Sequence, residues 1–480
     1  MIRLPDLRRE ALAGLTTSFA MVPEVVGFAF VLGVNPRAGL ISAFVVGLIT
    51  ALVGGRPGMI SGGAGSVAVV AVALVAGKGP EFLLLAVALM GLVQIAVGLL
   101  RWGRFISLVP HGVMLGFVNR LAIVIFLAQL DQFKANGHWM QGTPLAIMLG
   151  LSALTVAISA LAPRITKAVP GSLVAIVAVS LLALALKLPT KTVGDLATVH
   201  GPFPLPHLPS LPYTFDTLKI VFPVAVTMAA VGLTESLLTL GLVDELTDTH
   251  GLPDRECVGL GVANVASGLF SGMGGCAMIG QTMLNLQSGG RKRLSGIVEA
   301  LSILAFMLVA SALIEQIPIA ALVGVMMVVV YQTFAWSSIR QLSKIPRSDA
   351  FVLVLVSAVT VLTNLATAVV VGVVVSALVH AYRTGTHLQV ARTNGTDYAV
   401  EGHLFFGSAQ AFGRAFAVKD DAELVTVDMS RAVVHDHSAV QALESLVERY
   451  ARAGKTIHFV GLNENCVRLV RKAYGNAPLV

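Results

Sequence analysis

Two stretches decide how this chain is read: GGRPGMISGGAGS at residues 54–66 and GLFSGMGGCAMIG at residues 268–280. Both are too rich in glycine for a regular helix, since each interior glycine costs about 1 kcal/mol relative to alanine. They lead into short apolar segments, 66–77 and 277–288, that read as half-helices with long apolar runs on either side. In lipid, irregular backbone is tolerated only where protein buries it or where it lines a cavity. Two broken helices in corresponding places therefore point to a repeated membrane protein with a binding site at the junction of its repeats.

The composition outside these stretches agrees. Of 480 residues, 56% are hydrophobic and 12% charged, with a mean hydropathy of +0.83. A soluble domain carries about 25% charged residues, and a single core stops growing near about 250–300 residues. The fold class is a polytopic α-helical membrane protein; disorder, collagen and coiled coil are excluded. Apolar spans lie at 82–100, 144–162, 170–188, 218–240 and 294–314, and 350–382 is long enough for two, broken at Asn364. About 14 crossings fit a chain whose spans need roughly 20 residues each.

Charge orients these spans. With alternate loops placed on the side of the N-terminus, that side collects sixteen Lys/Arg, Arg56 and Arg291 to Arg293 among them, and the other side six. The bias implies an even number of spans with both termini cytoplasmic, in the cell membrane. Residues 386–480 hold ten Lys/Arg and ten Asp/Glu, so the net charge of +7 resides between the apolar spans. This is a loop pattern, not the basic stripe of a nucleic-acid binder. Cys257, Cys276 and Cys466 stand far apart without CxxC spacing, which gives no disulfide framework and no zinc site. His435-Asp436-His437 lacks ligand spacing, and Asn394-Gly-Thr396 is a sequon on the cytoplasmic side. With no nucleophile–base pair, metal cluster or P-loop, the chain reads as a non-enzyme without a cofactor.

Six prolines at 189, 202, 204, 206, 209 and 212 mark residues 189–217 as an outer linker. It divides residues 1–385 into repeat one, about 12–188, and repeat two, about 218–382. Pro110 in VPHGVMLGFV answers Pro318 in IPIAALVGVM. About seven spans per half, an odd number, invert the second repeat relative to the first. From about residue 386 the pattern changes to a small cytoplasmic α/β domain, 386–480. Its strands are expected near 387–392, 398–406, 424–428 and 456–460, and its helices near 408–418, 438–453 and 464–474.

Each half-helix brings about half a positive charge and free N–H groups at its N-terminus, so two ends facing each other suit an anion. Glycines that merely permit close helix packing are the competing reading. Glu24 in the first span and Glu235 in the eighth occupy equivalent helices. A carboxylate beside an anion repels it unless protonated, so this pair points to proton coupling, against a purely structural pair. Glu299 has no such symmetry and reads as structural, and Arg120 as structural or peripheral.

These residues resemble a known family. MGGCAMIGQTMLNLQSGGRKRLSG (273–296), GFVNRLAIVIFLAQL (116–130) and MVPEVVGFAF (21–30), with the C-terminal domain, are similar to the SulP sulfate-permease family of anion transporters over the whole chain. The resemblance implies a seven-plus-seven inverted repeat on the nucleobase-permease-like fold, with core and gate domains working as an elevator, a C-terminal STAS domain, and a homodimer. It places the anion against Glu24 and Phe28 of the first span, Gly65, Ser66 and Val67 of the third, and Ala277, Met278, Ile279, Gly280 and Gln281 at the N-terminus of the tenth. Ion coupling falls to Glu24 and Glu235. Animal members often carry arginine where Gln281 stands, so that fixed charge is missing. Arg120 replaces a usually small residue. Asp428-Met429-Ser430 and Asp436-His437-Ser438 match the STAS phosphorylation region imperfectly, which implies a scaffold or regulatory role.

The function expected is secondary transport of a small anion by proton symport, a dicarboxylate such as fumarate favoured over sulfate or bicarbonate. The alternatives are a sodium-coupled bicarbonate symporter, an anion exchanger or channel, and a nucleobase permease. A membrane signalling protein acting through its STAS domain is the reading from a different class.

Overall fold

The computed structural model describes residues 4–103, 111–135, 138–165, 169–336, 388–393 and 397–462, with a few single positions between. The expected span pair 350–382 with Asn364, the Pro110 match, Cys466, the helix at 464–474 and the sequon at Asn394 lie outside the described residues. Packing divides the chain into two compact units, Met1–Val370 and Val371–Val480, where the change of composition had put the boundary at 385/386.

In the first unit, seven helices precede the linker among the described residues: α1 (Leu4–Leu32), α2 (Pro36–Val53), α3 (Gly65–Lys78), α4 (Pro80–Leu99), α5 (His111–Asp131), α6 (Thr143–Ile165) and α7 (Gly171–Ala185). One turn, α8 (Val193–Leu196), opens the linker ahead of its proline cluster. Then come α9 (Phe215–Thr247), α10 (Pro253–Leu269), α11 (Ile279–Ser288), α12 (Arg293–Val309), α13 (Ser311–Glu315) and α14 (Ile319–Thr333). Among the described residues five helices are long and apolar enough to cross a membrane: those at Asp6–Leu32, Pro36–Val53, Pro80–Leu99, Thr143–Ile165 and Phe215–Thr247. The span expected at 294–314 is broken at Ala310. Beyond it α13 turns to the linker, where Glu315 accepts from the N–H groups of Val199 (2.6 Å) and His200 (3.1 Å).

Helix pairing follows the repeat. α1 packs on α11 and α12 as α9 packs on α3 and α4, so the first helix of each half lies against the third and fourth of the other. With α2 and α10 these form a core; α5, α6 and α7 gather around α14 as a second cluster. Polar contacts sort to two ends. At the end holding the N-terminus, Glu10 accepts from the N–H groups of Arg291 (2.7 Å), Lys292 (3.1 Å) and Ser295 (3.2 Å). There Arg56 pairs with Asp244 at 3.0 Å, and Arg293 donates to the Ala51, Leu52 and Gly54 carbonyls that end α2. A cation at the start of α12 thus satisfies the C-terminus of α2. At the opposite end the linker is tied down through Asn35 to the Thr198 carbonyl (3.1 Å) and Ser210 to Glu81 (2.7 Å).

Between the ends, the two glycine-rich runs meet. Strand β1 (Ser61–Gly63) pairs antiparallel with β4 (Gly275–Ala277); the other short pair, β2 (Lys134–Ala135) with β3 (His138–Trp139), joins α5 to α6. Glycine is required at 275, because a Cβ there would stand 1.8 Å from the Gly62 carbonyl oxygen.

The second unit is a sheet in the order β5-β6-β7-β8: β5 (Gln389–Thr393) antiparallel to β6 (Asp397–Leu404), then β7 (Leu424–Val434) and β8 (Thr456–Val460) parallel. Helices α15 (Ala409–Arg414) and α16 (His437–Arg452) accompany it. Two expectations change. β7 continues six residues beyond 428, its burial alternating to Met429 and resuming, after a one-residue shift in register, at Ala432 and Val434, so Asp428-Met429-Ser430 lies in a strand. The helix expected at 408–418 is confined to 409–414, since Phe412 and Phe416 turn in to pack on each other. Asp436 caps α16 by accepting from Ala439 N–H at 2.9 Å, and His435 Nε2 lies 2.7 Å from His403 Nδ1.

Asp421, its side chain fully buried, accepts from Arg392 (2.7 Å), the Tyr398 hydroxyl (2.9 Å) and the Tyr450 hydroxyl. Burial, then the Asp421 charge, pushes both phenols above the usual tyrosine range. A group whose folded-state value is raised stabilises the fold below its unfolded value and loses that contribution as pH climbs. Hydrogen exchange at β7 and α16 in the full chain is therefore expected to stay slow up to about pH 10, the unperturbed tyrosine value, and to accelerate above it once corrected for the intrinsic rate. Tyr450→Phe should blunt that acceleration.

Candidate anion site

β1 and β4 each end one residue short of a helix cap. Ala64 caps α3 and Met278 caps α11, both in extended backbone and neither with a side-chain capping bond. The first intrahelical bonds are Ala68 N–H to the Ala64 carbonyl (3.0 Å) and Thr282 N–H to the Met278 carbonyl (2.9 Å). The N–H groups of Gly65, Ser66 and Val67, and of Ile279, Gly280 and Gln281, thus stand outside the helix ladders. α3 runs from this point to the linker end, where Gly79 precedes Glu81. α11 runs the other way, where Asn285 donates to the Gly58 carbonyl at 2.9 Å. Two positive helix ends converge on the strand pair from opposite sides of the unit.

The start of α11 corrects an expectation. Ala277 is the last residue of β4 and Met278 the cap, because both backbone N–H groups are committed outside the α11 ladder: Ala277 N–H donates to Ser236 Oγ of α9 (2.9 Å) and Met278 N–H to the Ile60 carbonyl (2.9 Å). The helical turn open to a ligand begins at Ile279 and Gly280, which are exposed, whereas Gln281 is buried.

The structure brings the remaining predicted residues to the same place in three groups. Glu235 on α9, half-buried, accepts on one oxygen from the Ser66 hydroxyl of α3 and from Cys276 Sγ of β4 at 3.2 Å. Glu24 on α1, also half-buried, has the Gln281 side chain as its polar neighbour. Phe28, one helical turn beyond Glu24, covers the start of α3: a Cβ on Gly65 would stand 2.5 Å from its ring. Val67 is fully buried behind them. Pro23 supplies no N–H to the helix just before Glu24, which leaves a carbonyl of α1 unpaired in the ladder. Each carboxyl of one repeat therefore meets a half-helix: Glu24 of repeat one meets α11 of repeat two, and Glu235 of repeat two meets α3 of repeat one. Arg120 falls within α5, its side chain outside the described residues.

Spacing along the chain does not assign Cys276, Ser236, Asn264 or Thr282 to the site. Asn264, fully buried on α10, anchors β4 by accepting from Gly275 N–H (2.8 Å) and donating to the Gly275 carbonyl (3.0 Å) and Gln94 (2.9 Å). Thr282 accepts from Ile60 N–H at 3.0 Å. An intramembrane asparagine or threonine is itself a signal, because a polar side chain there needs a partner. Cys257 and Cys276 are buried free thiols.

Comparison with known proteins places this arrangement. The Sulfate permease family profile matches residues 7–356 and the STAS domain profile residues 387–474. YbaR of Bacillus subtilis (strain 168), named for sulfate transport, is 38% identical over 97% of both chains. The bicarbonate transporter BicA of Synechocystis sp. (strain ATCC 27184 / PCC 6803 / Kazusa) is 28% identical over 98% of this chain and 91% of its own. The solved transmembrane domain of a cyanobacterial BicA superposes with a TM-score of 0.65 at 29% identity, covering 78% of this chain and 98% of that domain. SLC26A9 shares the fold at a TM-score of 0.82 and 17% identity, over 98% of this chain and 87% of its own.

The Phe28–Gly65 contact offers a direct test. A saturating small oxyanion is expected to raise the melting temperature of the wild type, and Gly65→Ala to push the ring aside at an overpacking cost of about 1–3 kcal/mol and to abolish that rise. Differential scanning fluorimetry in detergent reads both effects; a full rise in the variant would detach Phe28 and Gly65 from the site.

Proposed function

Because the chain belongs to the sulfate permease family and is an anion transporter of that family, we infer that it accumulates a small oxyanion by proton symport, through the cradle between α3 and α11. One observation carries the reading. Two uncapped helix N-termini converge on β1 and β4, each with a half-buried carboxyl from the opposite repeat beside it. The helix ends supply about one positive charge in total, with no arginine at position 281. A divalent anion beside two carboxylates is then balanced only if protons enter with it. Glu24 and Glu235 take up those protons; Ser66 and Cys276 hold Glu235 in place, and Gln281 holds Glu24.

The names of the relatives, sulfate for YbaR and bicarbonate for BicA, move sulfate and bicarbonate ahead of the dicarboxylate favoured from the sequence. Alternating access arises as the core, α1–α4 with α9–α12, slides against the cluster around α14. The protein works as a homodimer in the cell membrane with both termini cytoplasmic, and its STAS domain acts as a regulatory scaffold.

Labelled sulfate, bicarbonate and fumarate, offered to proteoliposomes with and without an inward proton gradient, test this. One oxyanion is expected to accumulate several-fold under the gradient. In Glu24→Gln that accumulation should vanish while anion–anion exchange persists. Accumulation driven by sodium and indifferent to pH would replace the proton with sodium as the coupling ion.

A further inference from the structure

Glu299 lies near the middle of α12, fully buried, and neither carboxyl oxygen has a hydrogen-bond partner among the described residues. Its surroundings are specific. α12 packs on α2 at Gly47, and the point where a Gly47 side chain would begin stands 3.0 Å from Glu299 Oε2 and 3.0 Å from the Ser61 carbonyl oxygen. Gly47 leaves that space open to both.

The Ser61 carbonyl is directed there by the register of the cradle. Met278 N–H bonds the Ile60 carbonyl, so Ile60–Met278 is a hydrogen-bonded pair and the next pair, Ser61–Ala277, is not. Ala277 accordingly turns its N–H to Ser236, and Ser61 turns its carbonyl outward, away from β4. Two acceptor oxygens, a carboxyl and a carbonyl, thus converge over Gly47, and the buried Ser61 hydroxyl is likewise without a hydrogen-bond partner among the described residues.

The ionisable groups that are not solvent-exposed on the elements packed against α12 are committed elsewhere, Arg37 of α2 to the Pro202 carbonyl. Glu10 on α1 takes the N–H groups of Arg291, Lys292 and Ser295, and Glu24 neighbours Gln281. Arg293 holds the carbonyls at the end of α2, and Glu315 on α13 holds Val199 and His200. A bare carboxylate in this place faces a full desolvation penalty and the negative end of a carbonyl dipole. A carboxylic acid instead donates its O–H to that carbonyl and satisfies both groups.

We propose that Glu299 is a proton-binding site behind the anion cradle, its acid O–H bridging to the Ser61 carbonyl and tying α12 to β1. The bound proton acts on the strand pair itself, since β1 is paired to β4, whose Cys276 touches Glu235. The site stands on the packing of α12, α2 and β1 alone, so it holds or fails independently of the transport reading.

Infrared difference spectroscopy of the full chain in lipid nanodiscs tests it without any transport assay. At neutral pH the wild type is expected to show a protonated-carboxyl C=O band that is lost in Glu299→Gln and kept in Glu24→Gln/Glu235→Gln. Should Glu299→Gln not fold, Glu299→Asp retains the acid and is expected to shift the band. A band unchanged in either Glu299 variant overturns the proposal. So does a wild type without the band whose melting temperature rises with sodium, an effect lost in Glu299→Gln, because the bridging species is then a cation.

Discussion

The structure depends on one constraint: backbone that leaves a helix inside the membrane must find its hydrogen bonds within the protein. Here the two halves of the chain meet that need for each other. Ser61–Gly63 and Gly275–Ala277 pair edge to edge, and Asn264, Ser236 and Thr282 take up the groups left at their margins. The exchange can be this tight only because Gly275 has no side chain against Gly62. Its consequence is functional. With the strands paired, the N–H groups starting α3 and α11 stay outside the helix ladders, and these are positioned by two repeats at once.

This arrangement also explains the crossing of the carboxyls. The first helix of each repeat packs on the half-helix of the other, so Glu24 meets Gln281 and Glu235 meets Ser66. A displacement of either half-helix changes the surroundings of the opposite repeat's carboxyl. In the proposed symport, an anion at the helix ends and protons at the glutamates would act on the same few contacts, which is the differential interaction that coupling between two ligands requires.

Much of this was legible in the sequence, for a physical reason. Glycine runs beside apolar runs, and carboxyls inside apolar spans, are costly in a membrane, so each marks a place where structure or chemistry compensates. That logic located both half-helices and the Glu24 and Glu235 positions. It could not find β1 and β4, because three residues of serine, glycine, cysteine and alanine carry no strand alternation. Hence Ala277 was read as helical. Asn264 and Cys276 were overlooked because their roles lie in pairing with a segment from the other repeat or helix, which spacing along one chain does not encode. In the second unit, β7 outran its expected end because burial continued past the polar residues at 428 and 430.

In the proposed function, the helix ends held by β1 and β4 bind the anion. Hydrogen–deuterium exchange of the full chain in nanodiscs, with and without saturating sulfate or bicarbonate, addresses it most directly. Added protection is expected at the amides of 65–67 and 279–281, with the strand amides of 61–63 and 275–277 slow in both states. Anion-dependent protection confined to other segments, with these six amides unchanged, would contradict it.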